Sequence, residues 1–341
     1  MRSIWTRSRA PRVSGPRLPA LALLALGLAL AGAIPAASVA WGVPDGVGVT
    51  ATQTLAAGGS DFLCGIRADL TLGCWGRPTL ALDAPPAGRF AAVAAGRRAV
   101  CALAIDATMT CWGRWYAGGA PIGATAAALP GRFLTLDVAD TQACAVRTDQ
   151  SLACWGQWQV TGPRPATGPP AGRFVAAAAV HDWYGGCAIR VDGTLACWGP
   201  DTWGEQTPPS GTFRAIESGR QMYCGIRTEG TITCWGRQLY GMGAPPTGRY
   251  SALAIGGDTG CAIAESGTVT CWGAPIGGAP YPPATASASI TVGETIAAEV
   301  TADGAIQAWG ETSFWPVWGF QSPPSDDRFA THRVLSDRPD V

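Results

Sequence analysis

Between residues 51 and 334 the apolar positions fall in short runs cut by glycine, proline and charged turns, and one order of runs returns seven times. A unit opens with a PPxGRF lead-in and an apolar run such as AAVAAG. A variable loop, a run such as CALAI, a three-residue turn, a run such as TMTCWG and a Gly/Pro-rich return follow. Runs this short, bounded by glycine and proline, predict strands rather than helices. The second half of the unit is the most regular. It reads CGIRADLTLGCWG at 64–76, CALAIDATMTCWG at 101–113, CAVRTDQSLACWG at 144–156 and CAIRVDGTLACWG at 187–199. CGIRTEGTITCWG at 224–236, CAIAESGTVTCWG at 261–273 and AEVTADGAIQAWG at 298–310 complete the set. The copies are 37, 43, 43, 37, 37 and 37 residues apart, and the extra residues fall in loops.

The turn between the second and third strands sets the register. Val191-Asp192-Gly193 is a three-residue connection with glycine last, which suits a type I turn closed by a left-handed residue. Gly193, Gly230, Gly267 and Gly304 hold that slot in four copies. Leu70, Ala107 and Gln150 hold it in the first three, where the same turn is strained by about 1 kcal/mol or takes another shape. If Arg190 faces Thr194, Cys187 lies directly opposite Cys197, in a non-hydrogen-bonded pair with Cα atoms roughly 4.5 Å apart. The same count pairs Cys64 with Cys74, Cys101 with Cys111, Cys144 with Cys154, Cys224 with Cys234 and Cys261 with Cys271. The seventh copy carries Ala298 and Ala308 in both slots, as expected where a bond needs two partners. The alternatives are reduced, buried thiols and metal ligation. The nine-residue gap and the presence of only His181 and His332 argue against metal. Each disulfide closes a small loop, worth roughly 2–3 kcal/mol.

Seven antiparallel units of three or four strands, each too small to bury both faces alone, predict an all-β fold, a seven-bladed β-propeller. An open β-solenoid is the alternative. Strand alternation puts each Cys and the following Trp on opposite faces. Trp75, Trp112, Trp155, Trp198, Trp235, Trp272 and Trp309 therefore pack between blades. The two ends of the chain are expected to overlap. ATQTLAAGG at 51–59 supplies the first strand of the first blade, and RFATHRV at 328–334 supplies its missing lead-in.

Composition narrows the setting. The chain has 46 Gly, 27 Pro and 15 Trp in 341 residues, which excludes long helices and disorder. All 24 basic residues are Arg, against 24 acidic residues. Five of the Arg precede position 41; removing them leaves 19 against 24, a net charge near −5, which argues against nucleic acid as a partner. Residues 1–40 read as a secretory signal: a basic MRSIWTRSRAPRVSGPR, an apolar LPALALLALGLALAGAI, and small residues Ser38 and Ala40 before a cleavage at Trp41. An uncleaved membrane anchor is the alternative. The propeller then occupies 41–334 and a polar tail 335–341, with no membrane contact after cleavage.

The apolar strand ending in glycine, the C/A-hydrophobic strand, the D-G-T turn and the x-W-G close resemble the regulator of chromosome condensation repeat over about residues 50–334. The 37-residue period with a PPxGxF return is similar to bacterial secreted members, and Ala308-Trp309-Gly310 to the A-W-G of the propeller-type β-lactamase inhibitory proteins. The resemblance implies a seven-bladed propeller that binds proteins. Guanine-nucleotide exchange is the best-known eukaryotic activity of that family.

No catalytic constellation is visible, and no cofactor is expected. Two His leave almost no room for a His-dependent triad, and without Lys there is no phosphate-binding glycine loop followed by Lys. Asp69, Asp106, Asp149 and Asp192 recur at the turns as turn formers. The informative residues are aromatics outside the Trp-Gly slots. Trp115, Tyr116, Trp158, Trp183, Tyr184, Trp203, Tyr223, Tyr240, Trp315 and Trp318, joined by Phe62 and Phe314, are expected on one rim, in loops between the first and second strands or after Trp-Gly. Such rings anchor interfaces and stack on sugars. A secreted, non-enzymatic propeller that binds a protein partner through this face is the leading expectation, with inhibition of an extracellular enzyme as one such role. A lectin binding glycan, with Arg114 or Glu205 on sugar hydroxyls, is the second. An exchange factor or chromatin binder is the third.

Overall fold

A computed structural model describes residues 55–58, 62–76, 85–113, 130–156, 169–181, 185–276, 286–310 and 327–330. These form seven three-stranded antiparallel sheets, each in chain order. The first strands are Leu55–Gly58, Phe90–Ala95, Phe133–Val138, Phe174–Ala179, Phe213–Gly219, Tyr250–Gly256 and Ser287–Val292. They touch one another around a closed ring, the last against the first. The fold is therefore a seven-bladed β-propeller, numbered here by blade. Residues 1–40, expected as a secretory signal, and 335–341, expected as a polar tail, lie outside the described residues. Among the described residues no helix is long and apolar enough to cross a membrane.

The register follows the turn. In blade 4, Arg190 N–H donates to Thr194 O, Gly193 N–H donates to Arg190 O, and Cys187 stands opposite Cys197. All six predicted disulfides are present, with Cα atoms 4.0–4.1 Å apart. Ala298 and Ala308 face each other in the empty seventh slot. The three non-glycine turns keep the same shape: Leu70, Ala107 and Gln150 have φ of 72°, 69° and 71°. The position has a second duty, stitching blade to blade. In every blade the carbonyl of this left-handed residue accepts the N–H that opens the next blade's first strand, from Leu70 O with Phe90 N at 2.8 Å to Gly304 O with Phe329 N at 2.9 Å. Where Asp precedes it, as in blades 1 to 4 and 7, the carboxylate accepts from the residue two later, as Asp192 does from Thr194 N–H and hydroxyl at 2.9 and 2.7 Å.

The core lies between blades. Seven apolar clusters each join two neighbouring sheets, and each sets the Trp of one blade among residues of the blade before. Trp112 packs with Cys64 and Ile66 of blade 1, and Trp309 with Cys261 and Ile263 of blade 6. Trp75 packs with Ala298 of blade 7, so the blade without a disulfide still receives its neighbour's Trp. Trp155 is half-buried in the same arrangement.

The ends meet as the lead-in pattern predicts. Phe329 pairs with Arg67, Ala68 N–H donates to Arg328 O, and Ala330 N–H donates to Ile66 O. Phe329 meets Trp75 edge-on at 5.4 Å, and Asp327 accepts from Arg67 Nε at 2.8 Å. Blades 2 to 7 each carry a register shift just after the residue that opens the first strand, as between Phe90 and Ala92. This bulge has no sequence mark of its own; it raises local twist, and blade 1 has its chain break at the same point.

Candidate functional site

The first strands of blades 2 to 7 line a central cavity of about 1140 Å³, counting the part open to solvent. The loops that leave those strands surround its mouth. Counting seven residues from the start of the first strand gives Arg97, Asp140, His181, Arg220 and Glu294 in blades 2, 3, 4, 5 and 7; in blade 6 the count gives Gly257, followed by Asp258. Their side chains form one linked set. Glu294 takes Arg220 Nη2 at 3.1 Å and lies 3.6 Å from Arg97 Nε. Arg220 Nη1 is 3.8 Å from Asp258. Asp140 Oδ1 accepts Arg97 N–H at 3.0 Å and stands 3.3 Å from His181 Nδ1. Glu294 thus connects blades 2 and 5, neither of them its neighbour. Burial pushes the Asp140 carboxyl up, but the His181 hydrogen bond and charge prevail and hold it below the ordinary range. This set was missed at the sequence level, although its seven-residue spacing was readable there.

The first-strand position opposite the first Cys of a blade, or opposite Ala298 in blade 7, is Ala56, Ala94, Ala178 or Ala254 in four blades. It is Asp137, Glu217 and Thr291 in blades 3, 5 and 7. Burial pushes the Asp137 carboxyl up, although Ala179 N–H donates to it at 2.7 Å. Burial raises Glu217 well above the ordinary range, and the Asp137 charge adds to the effect. Among the described residues no group of three or more His, Cys, Asp or Glu could hold a metal ion.

On the rim, Trp203 and Tyr240 are exposed, at 57% and 68%. Both follow a Trp-Gly, on the face that carries the channel mouth. Tyr223 is a correction: it is 2% exposed and stacks on Trp235 at 5.6 Å. The second strand of blade 5 begins at Met222, so Tyr223 lies within the strand, opposite Trp235 across the sheet, and turns inward with it. Phe62 is buried for the same reason, as the first residue of a strand. Glu205 is buried too: its carboxylate accepts Trp203 N–H at 2.6 Å and its carbonyl accepts Trp235 Nε1–H at 3.2 Å. Arg114, Trp115, Tyr116, Trp158, Trp183, Tyr184, Phe314, Trp315 and Trp318 lie outside the described residues.

No family model matches the chain, and no curated protein matches it. Solved structures do. The ectodomain of the receptor kinase CR4 of Physcomitrella patens aligns with a TM-score of 0.61 and 23% identity, over 76% of this chain and 73% of that one. The ectodomain of the Arabidopsis thaliana receptor kinase ACR4 gives 0.61 and 20%, over 76% and 95%. Prp20p of Saccharomyces cerevisiae, the yeast RCC1 protein, gives 0.53 and 15%, over 72% and 77%. The likeness is one of fold: this chain shares the propeller architecture of these proteins. The Prp20p structure is described together with that protein's binding to Gsp1p and histones.

Proposed function

We propose that this chain is a non-enzymatic propeller that binds a protein partner, in an oxidising compartment outside the cytoplasm, through the face that carries the channel mouth. One observation carries the reading. Among the described residues the exposed large hydrophobic side chains are Trp203, Leu239 and Tyr240, and all three lie in the Trp-Gly returns of blades 4 and 5. Exposed aromatics gathered on one face mark an interaction surface. The six disulfides and the absence of a free cysteine among the described residues support an oxidising compartment. That a similar propeller, Prp20p, binds proteins supports the class of partner. Holding an extracellular enzyme inactive is a role such a surface can fill.

The test is capture of protein partners from the surrounding medium on the immobilised secreted chain, repeated with Trp203→Ala and Tyr240→Ala. Each substitution should change stability by less than about 1 kcal/mol, as exposed changes do. Trp203→Ala should weaken the captured complex by about 2 kcal/mol or more. Undiminished binding in both variants would remove this face as the interface.

A further inference from the structure

Glu205 occupies a position that is apolar in the next two blades. In blades 4, 5 and 6 the return after Trp-Gly brings one residue against the Trp-Gly of the following blade. A Cβ added at Gly236 would meet Glu205 Cγ at 3.4 Å, one at Gly273 would meet Met242 Sδ at 2.4 Å, and one at Gly310 would meet Ile276 Cγ2 at 2.7 Å. The carbonyls of Glu205 and Met242 do the same work, accepting the indole N–H of Trp235 at 3.2 Å and of Trp272 at 3.3 Å. Glu205, Met242 and Ile276 are therefore equivalent plugs over the next blade's Trp. Met242 is 0% exposed, Ile276 4% and Glu205 8%.

A carboxylate at such a plug is costly, because burial of a charge without a counter-charge is unfavourable. Among the described residues its one hydrogen bond comes from the Trp203 N–H. Among the described residues no cation pairs with it. It lines a small open cavity with Trp203, Tyr223, Gln221 and Thr202, about 410 Å³ including the part open to solvent. Trp203 stands at the edge of that cavity with its ring exposed.

We propose that this cavity is an anchor site for an arginine side chain presented by the protein partner. The guanidinium would pair with the Glu205 carboxylate and lie along the Trp203 ring, two interactions that suit one planar cation. A neutral sugar would stack on the ring but leave the carboxylate without a counter-charge. The inference rests on the loop-face reading above and names the chemistry that this face selects.

The probe is N-acetyl-arginine methylamide, titrated into the full secreted chain while the Trp203 indole N–H is followed by NMR. Its citrulline counterpart, the same shape without the charge, is the control. The arginine compound should shift the Trp203 resonance at millimolar concentration, and the citrulline compound should bind at least about tenfold more weakly. Glu205→Met installs the plug of the next blade. It should melt at or above the temperature of the parent chain, yet lose the arginine response by about tenfold or more. Glu205→Gln provides the same test with the shape kept, should the methionine variant fail to fold. Equal binding of the two compounds, an unchanged response in Glu205→Gln, or a stronger response to methyl glycosides would overturn the proposal. A captured protein partner that is lost with Trp203→Ala but kept with Glu205→Met would also overturn it, while leaving the loop face intact as an interface.

Discussion

At the scale of single residues, the channel acids govern how stability responds to pH. Glu217 and Asp137 stand where other blades carry Ala94, Ala178 and Ala254. Burial raises both above the roughly 4 of an unfolded carboxyl. The fold therefore holds protons that the unfolded chain has already lost, and stability falls as pH rises from about 4 through the folded values. The turn residues act in the opposite sense. Hydrogen bonds from Thr71, Ser151 and Thr194 lower Asp69, Asp149 and Asp192, whose contribution is present above about 4 and fades as pH falls through their folded values. The two trends therefore run in opposite directions on either side of about pH 4. Glu217→Ala, which adopts the residue of four other blades, is expected to raise the melting temperature near pH 7 and to flatten its decline from about pH 4 upward. Melting curves across that range decide it; a lower melting temperature at neutral pH would mean that the carboxylate supports the fold.

At the scale of the element, the three-stranded blade is held by its turn and its disulfide, and the two can be separated. Blade 7 keeps the turn, with Gly304 at φ 86°, and the Trp, while Ala298 and Ala308 replace the bond. The bond is therefore dispensable to the shape of a blade. Replacing Cys101 and Cys111 together with Ala should leave a folded ring and cost about 2–3 kcal/mol, the entropy of one small closed loop. Urea unfolding of the oxidised double variant measures this, and failure to fold would show that blade 2 depends on its bond in a way blade 7 does not. The turn was legible up to a point. Leu70, Ala107 and Gln150 left two outcomes open from sequence, and the structure keeps the left-handed shape because the carbonyl at that position must reach the next blade.

At the scale of the whole molecule, closure rests on a short piece of the C-terminal region. Phe329 is 3% exposed, between Trp75 of blade 1 and residues of blade 7. Removing residues from Asp327 onward should cost about 3–5 kcal/mol through loss of this ring alone. For a chain of this size that corresponds to roughly 10 °C in melting temperature. Asp327→Ala, which breaks only a half-exposed ion pair, should cost less than about 1 kcal/mol. Calorimetry of the two variants tests closure, and an unchanged melting temperature on truncation would place the closing contacts elsewhere.

The repeat, the blade, the Cys partners and the inter-blade Trp were determined by the sequence alone, because each depends on residues within one unit. A strand period of two and a three-residue turn settle who faces whom over about ten positions. Even the closure at Phe329 was readable, since it reuses a lead-in found in other units. Tertiary structure alone decided what depends on residues far apart in the chain. Tyr223 reads as a rim aromatic until the strand is seen to begin at Met222. Glu205 reads as a surface acid until its return is seen to plug blade 5. Arg97, Arg220 and Glu294 become one ionic set only when the ring curves blades 2, 5 and 7 around a single mouth. Curvature is a property of all seven interfaces together, and no single repeat encodes it.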